Sequence, residues 1–547
     1  MAGCRCMPGS VLDANDGAYR WLVARVRSAA RYGNANEVLA RIERAAAFAA
    51  WFHSGRFADG AIENPALEIG HRLDVSSAAS TPIQRGRRRI LHVTTRLLAI
   101  GGHSRMILNW VLADTGSTHS IALVDQGDVA VPPEVLTVTQ RQGGWVGQAI
   151  GSSRIDRARW LRAAAERFDM IVLHHFAADV VPTVAFAAPG GPPVTILNHA
   201  DHQFWLGSSV ADAAINLRSA GARHTAARRY ISTNVVLPVP LVEQGEGIDR
   251  RSARQTLGID DDRIVLLSVG RAEKYRPSGE FDFVRTAGRI LDRLPDALLY
   301  VVGESIGGIR PYLRSPLHDR LHFVGELGDS RRYRAAADVY LESFPFGSQT
   351  ALLEAALDGL PAVRAYSPLY PLLVANDDSI EELLPPPRNE DEYIQQAAEF
   401  AKSKELRLRL GETIRNRLLS DHSGEGWRRQ LNVVYEGTGH LTHNPRPIPE
   451  SDSCASSADN GLSLWHVSSG GSSTTEADSG ARIVLHHAIS VRRWAGDYRS
   501  ARRIALRAVM SLPSDASIRR LFILSLLGVW ISKLRLMRSW IVRRFRR

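Results

Sequence analysis

Apolar residues recur at helical spacing in the first part of the chain, from residue 11 to about residue 75. Tyr19, Leu22 and Val26 would share one face of a helix with 3.6 residues per turn. Polar residues fill the positions between them, as in a helix that packs one face against a core. The pattern predicts an N-terminal helical segment over residues 1–80.

The pattern then changes to short β-branched runs separated by helix-length segments. The first set of runs lies at 90–94, 120–124, 170–174, 194–198 and 231–237, and the second at 263–269, 297–302, 321–324, 339–341 and 361–364. This alternation is typical of parallel sheets covered by helices. It predicts an α/β fold with two consecutive modules, 88–245 and 246–440, of which the last helices could return to the first module.

The composition changes again after the second module. Residues 441–480 are rich in Ser, Gly, Asp and Pro, which predicts a flexible linker. Residues 481–547 follow as a predicted helical hairpin and a basic amphipathic tail. The alanines 501, 505 and 508 of the hairpin have the spacing of a close helix contact, but a single hairpin cannot bury its own face.

The net charge of +11 is concentrated in this tail, where Asp515 is the one acid after residue 501. Its arginines alternate with large apolar residues, which favours a helix lying on an anionic membrane surface. A core-packing helix with a solvated basic face is the alternative. Nucleic acid is disfavoured as a partner, since no aromatic stacking platform accompanies the arginines.

The compartment is suggested by what the sequence lacks. The 3 cysteines form neither a disulfide framework nor a metal motif. No secretion signal and no uncharged apolar run of about 18 residues is present. We therefore expect a cytoplasmic protein, peripheral on the inner membrane if the tail binds lipid.

The strongest chemical signal is the segment from Tyr340 to Glu354, where a strand ends and a glycine-containing turn opens a helix. The amides of residues 347–350, which are Gly347, Ser348, Gln349 and Thr350, would point outward at the positive end of the helix dipole. Such a helix start is suited to a diphosphate.

This segment resembles the nucleotide-sugar signature of glycosyltransferases with two Rossmann-like domains, the GT-B fold, and is most similar to the O-GlcNAc-transferase-like and group 1 members. The resemblance implies that Ser348, Gln349 and Thr350 hold the donor phosphates and that Glu354 holds the ribose. Phe346 stands where many retaining relatives have a glutamate. This difference disfavours a retaining reaction.

A second signal follows the first strand of the second module. Arg271 and Lys274 lie in the loop at the carboxyl end of that strand, where ligands of open α/β sheets bind. They would neutralise the departing diphosphate, as the matching residues of the family do. A solvated pair of cations is the alternative.

Histidines follow the predicted strands of the first module. His103 starts a helix after a Gly-Gly turn, His174 ends a strand, and His199, Asp201 and His202 follow the next strand. A base for an acceptor hydroxyl is best supplied by a group that titrates near neutrality, so His199 and His202 are predicted catalytic residues on the acceptor side. Asp201 joins them, either orienting a histidine or acting as the base, and His103 could touch the donor phosphate or the acceptor. Hydrogen-bonded packing is the alternative. We expect no metal, because His199 and His202 have no third ligand at usual spacing.

Together these features predict a metal-independent glycosyltransferase that moves a sugar from a nucleoside diphosphate sugar to a carbohydrate, lipid-linked or protein acceptor. We expect no cofactor besides this donor. The expected setting is bacterial surface polysaccharide or glycoconjugate synthesis. A degenerate, non-catalytic relative that recruits partners at a membrane is one alternative. A nucleotide-sugar epimerase is another. The dinucleotide fingerprint Gly-x-Gly-x-x-Gly is missing from the glycine turn before His103, which argues against an NAD enzyme.

Overall fold

The computed structural model describes residues 9–73, 86–99, 102–174, 176–242, 247–278, 280–366, 378–454, 456–469, 480–511 and 517–528. Within them, three helices precede the first strand: α1 (Val11–Tyr32), α2 (Ala35–Trp51) and α3 (Gly60–His71). Ser10, Asn34 and Asp59 cap their N-termini by accepting hydrogen bonds from backbone amides. The apolar faces of these helices join the core beneath the first sheet, so the predicted N-terminal helical segment is confirmed.

The first sheet has seven parallel strands in the order β3-β2-β1-β4-β5-β6-β7. Its strands are β1 (Arg89–Thr94), β2 (Thr118–Leu123), β3 (Val146–Gln148), β4 (Met170–Leu173), β5 (Val194–Asn198), β6 (Ala213–Asn216) and β7 (Thr233–Val236). Its helices are α4 (Gly102–Ala113), α5 (Pro133–Arg141), α6 (Arg154–Ala165), α7 (Val181–Ala185) and α8 (Ser219–Arg228). The strand order reverses between β1 and β4, which places a crevice at their carboxyl ends.

The second sheet has five parallel strands in the order β10-β9-β8-β11-β12. Its strands are β8 (Ile264–Val269), β9 (Ala297–Val302), β10 (Leu321–Gly325), β11 (Val339–Leu341) and β12 (Ala362–Val363). Its helices are α9 (Arg250–Leu257), α10 (Phe283–Arg293), α11 (Ile306–Ile309), α12 (Arg331–Ala336) and α13 (Gln349–Leu357), with 3-10 turns at Ala272–Tyr275 and Arg310–Tyr312. Two sheets of this type confirm the predicted pair of Rossmann-like domains.

The chain then returns to the first domain. Helix α14 (Glu390–Lys402) packs on the second sheet at β11 and β12, and α15 (Lys404–His422) packs on α13. Helix α16 (Gly424–Thr438) packs against α4 and β7. The indole of Trp427 donates a hydrogen bond to the Pro238 carbonyl oxygen at 2.8 Å. The chain thus passes between the two domains twice, at Leu241 and at His422. The two passages are joined by a hydrogen bond from the Leu241 amide to the His422 carbonyl oxygen, at 2.8 Å.

The segment predicted as a flexible linker is packed over its first part, which corrects that prediction. His443 bonds to Asp212 at 2.8 Å, and the amide of Ser451 donates to Asp59 at 3.0 Å. Helix α17 (Ser457–Ser469) follows, and its Asp459 lies 2.8 Å from a ring nitrogen of His53. The polar residues that suggest a linker by composition find partners on the N-terminal helices and the first sheet.

The predicted hairpin comprises α18 (Gly480–Ala495) and α19 (Tyr498–Ser511), followed by a helix, α20, at 517–528. Helix α18 packs along α1, where His487 Nε2 lies 2.7 Å from Asn15 Oδ1. The N-terminal helices thus supply the face that a lone hairpin lacks. Among the helices described, none is both long and apolar enough to cross a membrane. Residues 529–547 of the predicted basic tail lie outside the described residues.

Candidate active site

The loop at residues 342–348, here called the donor loop after the role predicted for it from the sequence, connects β11 to α13. It is built around the buried carboxylate of Glu342. One oxygen of Glu342 accepts from the Ser348 amide at 3.1 Å, and the other accepts from the Ala365 amide at 2.8 Å. Burial raises the pKa of Glu342, while the two amides, Arg364 and Lys274 oppose that rise. The Ser348 amide therefore points inward, which corrects the prediction that all four amides face a ligand.

Lys274 lies against this loop. Its ammonium donates hydrogen bonds to the Gly347 carbonyl oxygen at 2.7 Å and to the Ser348 hydroxyl at 2.8 Å. It also lies 4.4 Å from the ring centroid of Phe346. Burial lowers the pKa of Lys274 to about 8; Glu342 and Glu273 oppose the shift, and the nearby Arg271 adds to it.

The structure thus brings Lys274, Gly347 and Ser348 together, as predicted. Arg271 is exposed at the start of the same turn. Gln349 and Thr350 form the first turn of α13, where backbone amides have no acceptor within the helix, and Thr350 is exposed. This group can bind an anion through one or two cations and the helix start.

Glu354 is on the same helix but has other partners. Its carboxylate lies 3.1 Å from Arg334, which also contacts Asp358. These residues line a cavity of about 910 Å³ together with Asp338 and Arg263, which precede strands β11 and β8. The cavity is lined at the amino ends of these strands, whereas Lys274 follows the carboxyl end of β8, so the ribose role of Glu354 stays a prediction.

Asp201 and His202 follow β5, and His202 reaches the second domain. Asp201 accepts two hydrogen bonds from Arg218, at 2.9 and 3.1 Å. Burial opposes ionisation of Asp201, but Arg218 and His202 outweigh it and hold its pKa well below the usual range. A carboxylate held in this way is a weak base, so the structure favours an orienting role for Asp201, 3.9 Å from His202 Nδ1.

The ring of His202 contacts Phe346 of the donor loop, with 5.1 Å between ring centroids. Burial lowers the pKa of His202, Asp201 opposes that shift, and Arg218 and Lys274 reinforce it. The carboxyl edges of the two sheets therefore meet at this contact. The sequence placed His202 and the donor loop in separate modules and could not predict that they touch.

His199 and His103 form a second pair in the first domain. Their rings are nearly parallel, 3.9 Å apart, and His103 Nδ1 donates to the His174 carbonyl oxygen at 2.9 Å. His199 Nε2 lies 3.1 Å from His174 Nδ1. Both rings are half-buried, so a substrate in the crevice between β1 and β4 can reach this pair.

Two carboxylates escaped the sequence reasoning. Glu342 directly follows β11, and Glu304 follows β9 after one glycine. Glu304 is buried; its Oε1 accepts from the Ser305 amide at 2.7 Å, whereas its Oε2 has no hydrogen-bond partner among the residues that the structure describes. A buried carboxylate oxygen without a donor destabilises the unliganded state, which favours a hydroxyl or amide of a ligand there. The sequence signal that could have identified Glu342 and Glu304 is an acidic residue at the carboxyl end of a predicted strand.

Comparison with known proteins found one curated relative with a significant match. No family model matches the chain. A D-inositol 3-phosphate glycosyltransferase of Kribbella flavida is 29% identical over 194 residues, a stretch that covers 33% of this chain and 44% of the relative. The matched stretch is therefore less than half of the relative's length.

Solved structures with a similar fold include an O-GlcNAc transferase mutant of Thermobaculum terrenum, at 16% identity and a TM-score of 0.48 over 78% of this chain and 84% of that one. Alr3699/HepE of Anabaena, solved with UDP and glucose, gives 16% and 0.46 over 64% of this chain and 100% of that one. The curated match, together with the two parallel sheets, agrees with the resemblance found in the sequence: this chain is similar to the glycosyltransferases of the GT-B fold.

Proposed function

We propose that the chain is a glycosyltransferase that takes a sugar from a nucleoside diphosphate sugar and attaches it to an acceptor hydroxyl. The observation that carries the proposal is the contact between the two domains, where Phe346 of the donor loop, against which Lys274 lies, meets His202 of the first domain. A cation and a helix start can hold a diphosphate on one side of this contact. The histidines can receive an acceptor on the other side.

In this proposal the diphosphate is bound by Lys274, Arg271 and the first turn of α13, with Ser348 contributing its hydroxyl. Positive charge at this point stabilises the negative charge that develops on the leaving group. The Lys274 ammonium now bonds to the loop itself, so a phosphate oxygen would replace the Gly347 carbonyl or the Ser348 hydroxyl as its acceptor. Glu304 is a candidate acceptor for a donor hydroxyl, and the ribose role of Glu354 stays a prediction.

His199 is the proposed base for the acceptor hydroxyl, with His103 stacked on it. A neutral imidazole can take the hydroxyl proton while the acceptor oxygen attacks the anomeric carbon and the bond to the diphosphate breaks. Asp201 and His202 would position the sugar against Phe346. The single displacement that follows agrees with the missing glutamate at Phe346.

Surface polysaccharide or glycoconjugate synthesis is the proposed setting, and an anionic membrane surface is a proposed partner. Helix α19 has exposed arginines at 502, 503 and 507, which continue the basic character of the tail. Flotation of the full chain with vesicles of neutral or anionic phospholipid tests this part. Equal recovery with both compositions would contradict it.

Donor binding is the first test. We would measure melting of the full chain with UDP, GDP, ADP and dTDP and their sugars, beside Lys274→Met and the exposed control Lys402→Met. A ligand at about 100 times its Kd stabilises the fold by about 2.7 kcal/mol. We expect one nucleotide to stabilise wild type and the control but not Lys274→Met. Release of the sugar from the nucleotide sugar should then require an acceptor. Conversion of the nucleotide sugar without an acceptor would indicate an epimerase. No binding of any nucleotide or nucleotide sugar would indicate a degenerate, non-catalytic protein.

A further inference from the structure

A row of hydrogen-bonded histidines crosses the first sheet from its interior to the crevice. This histidine chain consists of His119 on β2, His92 on β1, His174 after β4 and His199 after β5. The successive ring nitrogens are 2.9, 2.9 and 3.1 Å apart. His119, His92 and His174 are fully buried, in strands or directly after one, at positions where an aliphatic residue would serve a simple core.

The inner end of the chain is anchored by Asp114. His119 Nε2 lies 3.2 Å from the carbonyl oxygen of Asp114 and 3.2 Å from its carboxylate. The carboxylate also accepts from the Tyr435 hydroxyl at 2.6 Å and from the Gly116 amide at 3.1 Å. Burial opposes ionisation of Asp114, but hydrogen bonds from His119, Tyr435 and Ser117 hold its pKa well below the usual range.

When all four rings are neutral, this anchor fixes the protons of the whole chain. The carbonyl oxygen and the carboxylate of Asp114 can only accept hydrogen bonds, so His119 Nε2 carries a proton. Because a neutral imidazole has only one N–H, His119 Nδ1 is unprotonated. His119 Nδ1 then accepts from His92 Nε2, His92 Nδ1 accepts from His174 Nε2, and His174 Nδ1 accepts from His199 Nε2. Burial holds the pKa of His92 well below its ordinary value, which keeps this ring neutral. His199 Nδ1 is consequently the unprotonated nitrogen.

We propose that the histidine chain is a proton relay that prepares His199 as a base and carries the acceptor's proton away from the crevice. The proposal rests on the glycosyltransferase function proposed above. His119, His92 and His174 are positioning residues in it, because they act through His199.

The relay balances with three transfers between rings. The acceptor hydroxyl gives its proton to His199 Nδ1, and His199 Nε2 gives its own to His174 Nδ1. His174 Nε2 then protonates His92 Nδ1, and His92 Nε2 protonates His119 Nδ1. The positive charge ends on His119 beside the Asp114 carboxylate, where an ion pair stabilises it. After the product leaves, the proton returns along the same bonds and passes from His199 to water.

The tautomers can be measured without any substrate. In full-length protein with ¹⁵N-labelled histidine, long-range ¹H–¹⁵N spectra at about pH 8, above the ordinary histidine pKa of about 6.5, report which nitrogen carries the proton. We expect Nε2–H at all four rings of the chain and Nδ1–H at His103, with assignments from single substitutions. An Nδ1–H tautomer at His199 would overturn the proposal. This result does not depend on whether the chain is a glycosyltransferase.

His92→Gln separates a relay from a merely structural network. A glutamine amide can donate to His119 and accept from His174, but it cannot pass a proton on. The matched control is His443→Gln, since His443 is also buried against the first domain with both nitrogens bonded, to Asp212 and to the Phe186 carbonyl oxygen.

We expect His92→Gln to keep the tautomer of His199, donor binding and the KM of the donor, while kcat falls about 100-fold, within the range of a general base. His443→Gln should keep kcat within about twofold of wild type. An unchanged kcat in His92→Gln would refute the relay. If that variant does not fold, His119→Gln tests the next link by the same measurements. Absence of transfer in wild type would instead contradict the proposed function.

Discussion

Lys274 provides the sharpest test of the donor site, because its ammonium is buried and has a lowered pKa. With a pKa of about 8 the side chain is mostly charged at pH 7 and loses its charge above pH 8. A diphosphate needs the charged form. Donor affinity should therefore be constant at neutral pH and fall by up to tenfold per pH unit above the pKa of Lys274. The decline should stop at the affinity that the site has with Lys274 uncharged.

The magnitude follows from the one hydrogen bond that Lys274 would make to a phosphate oxygen in place of its present bond to Gly347 or Ser348. A hydrogen bond to a charged group contributes about 1.5–3 kcal/mol. At about 1.4 kcal/mol per tenfold change, Lys274→Met should weaken donor binding about 10-fold to 150-fold. Titration calorimetry with the nucleotide identified by melting measures this directly.

Lys274→Arg is the matched control, since a guanidinium stays charged throughout the accessible pH range. Its affinity for the nucleotide, although lower than that of wild type, should not decline between about pH 7 and 9.5. Equal pH dependence in wild type and Lys274→Arg, or binding by Lys274→Met within twofold of wild type, would refute the assignment of Lys274 to the diphosphate.

Three further substitutions test the scaffold. Glu342→Gln turns an NH₂ group toward one of two backbone amides, so the melting of the fold and donor affinity should each weaken by about 1–3 kcal/mol, measured by denaturation and calorimetry; unchanged values would contradict its role in the loop. Asp201→Asn removes the carboxylate that pairs with Arg218 and should destabilise the first domain by about 3–5 kcal/mol in urea denaturation, whereas a loss within 1 kcal/mol would show that the pair is dispensable. Burial opposes ionisation of Asp459, but hydrogen bonds from His53, Ser456 and Arg228 outweigh it and hold the pKa of Asp459 below its ordinary value. The Asp459 carboxylate therefore stabilises the fold at neutral pH, and this contribution declines as the pH falls below about 4. Asp459→Asn should remove that part of the acid sensitivity, which pH-dependent melting would detect.

The sequence predicted the parts of the site that depend on local order. A strand, a glycine turn and a helix place Gly347 and Ser348 at a helix start, and a loop after β8 places Lys274 at the same edge of the sheet. Both follow from the rule that ligands bind at the carboxyl ends of parallel strands. Neither requires knowledge of distant contacts.

The remainder depends on contacts between segments far apart in the chain. The inward turn of the Ser348 amide results from Glu342, whose burial the sequence does not reveal. The partner of Glu354 is on another helix, so its pairing with Arg334 could not be read from spacing. His92 and His119 look like ordinary strand residues until the register of β1 and β2 brings their rings together. The packed linker likewise depends on partners near the N-terminus.

The junction between Leu241 and His422 determines how the two domains can move. The chain passes between them twice, and the two passages are held to each other by the Leu241 amide and by His422 Nδ1, which lies 2.8 Å from the Val239 carbonyl oxygen. Two connections joined at one point permit rotation about that point but resist sliding and separation. Opening by rotation about this junction would therefore move Lys274 and His202 apart along an arc and return them to the same register, so the two halves of the proposed site would keep their alignment.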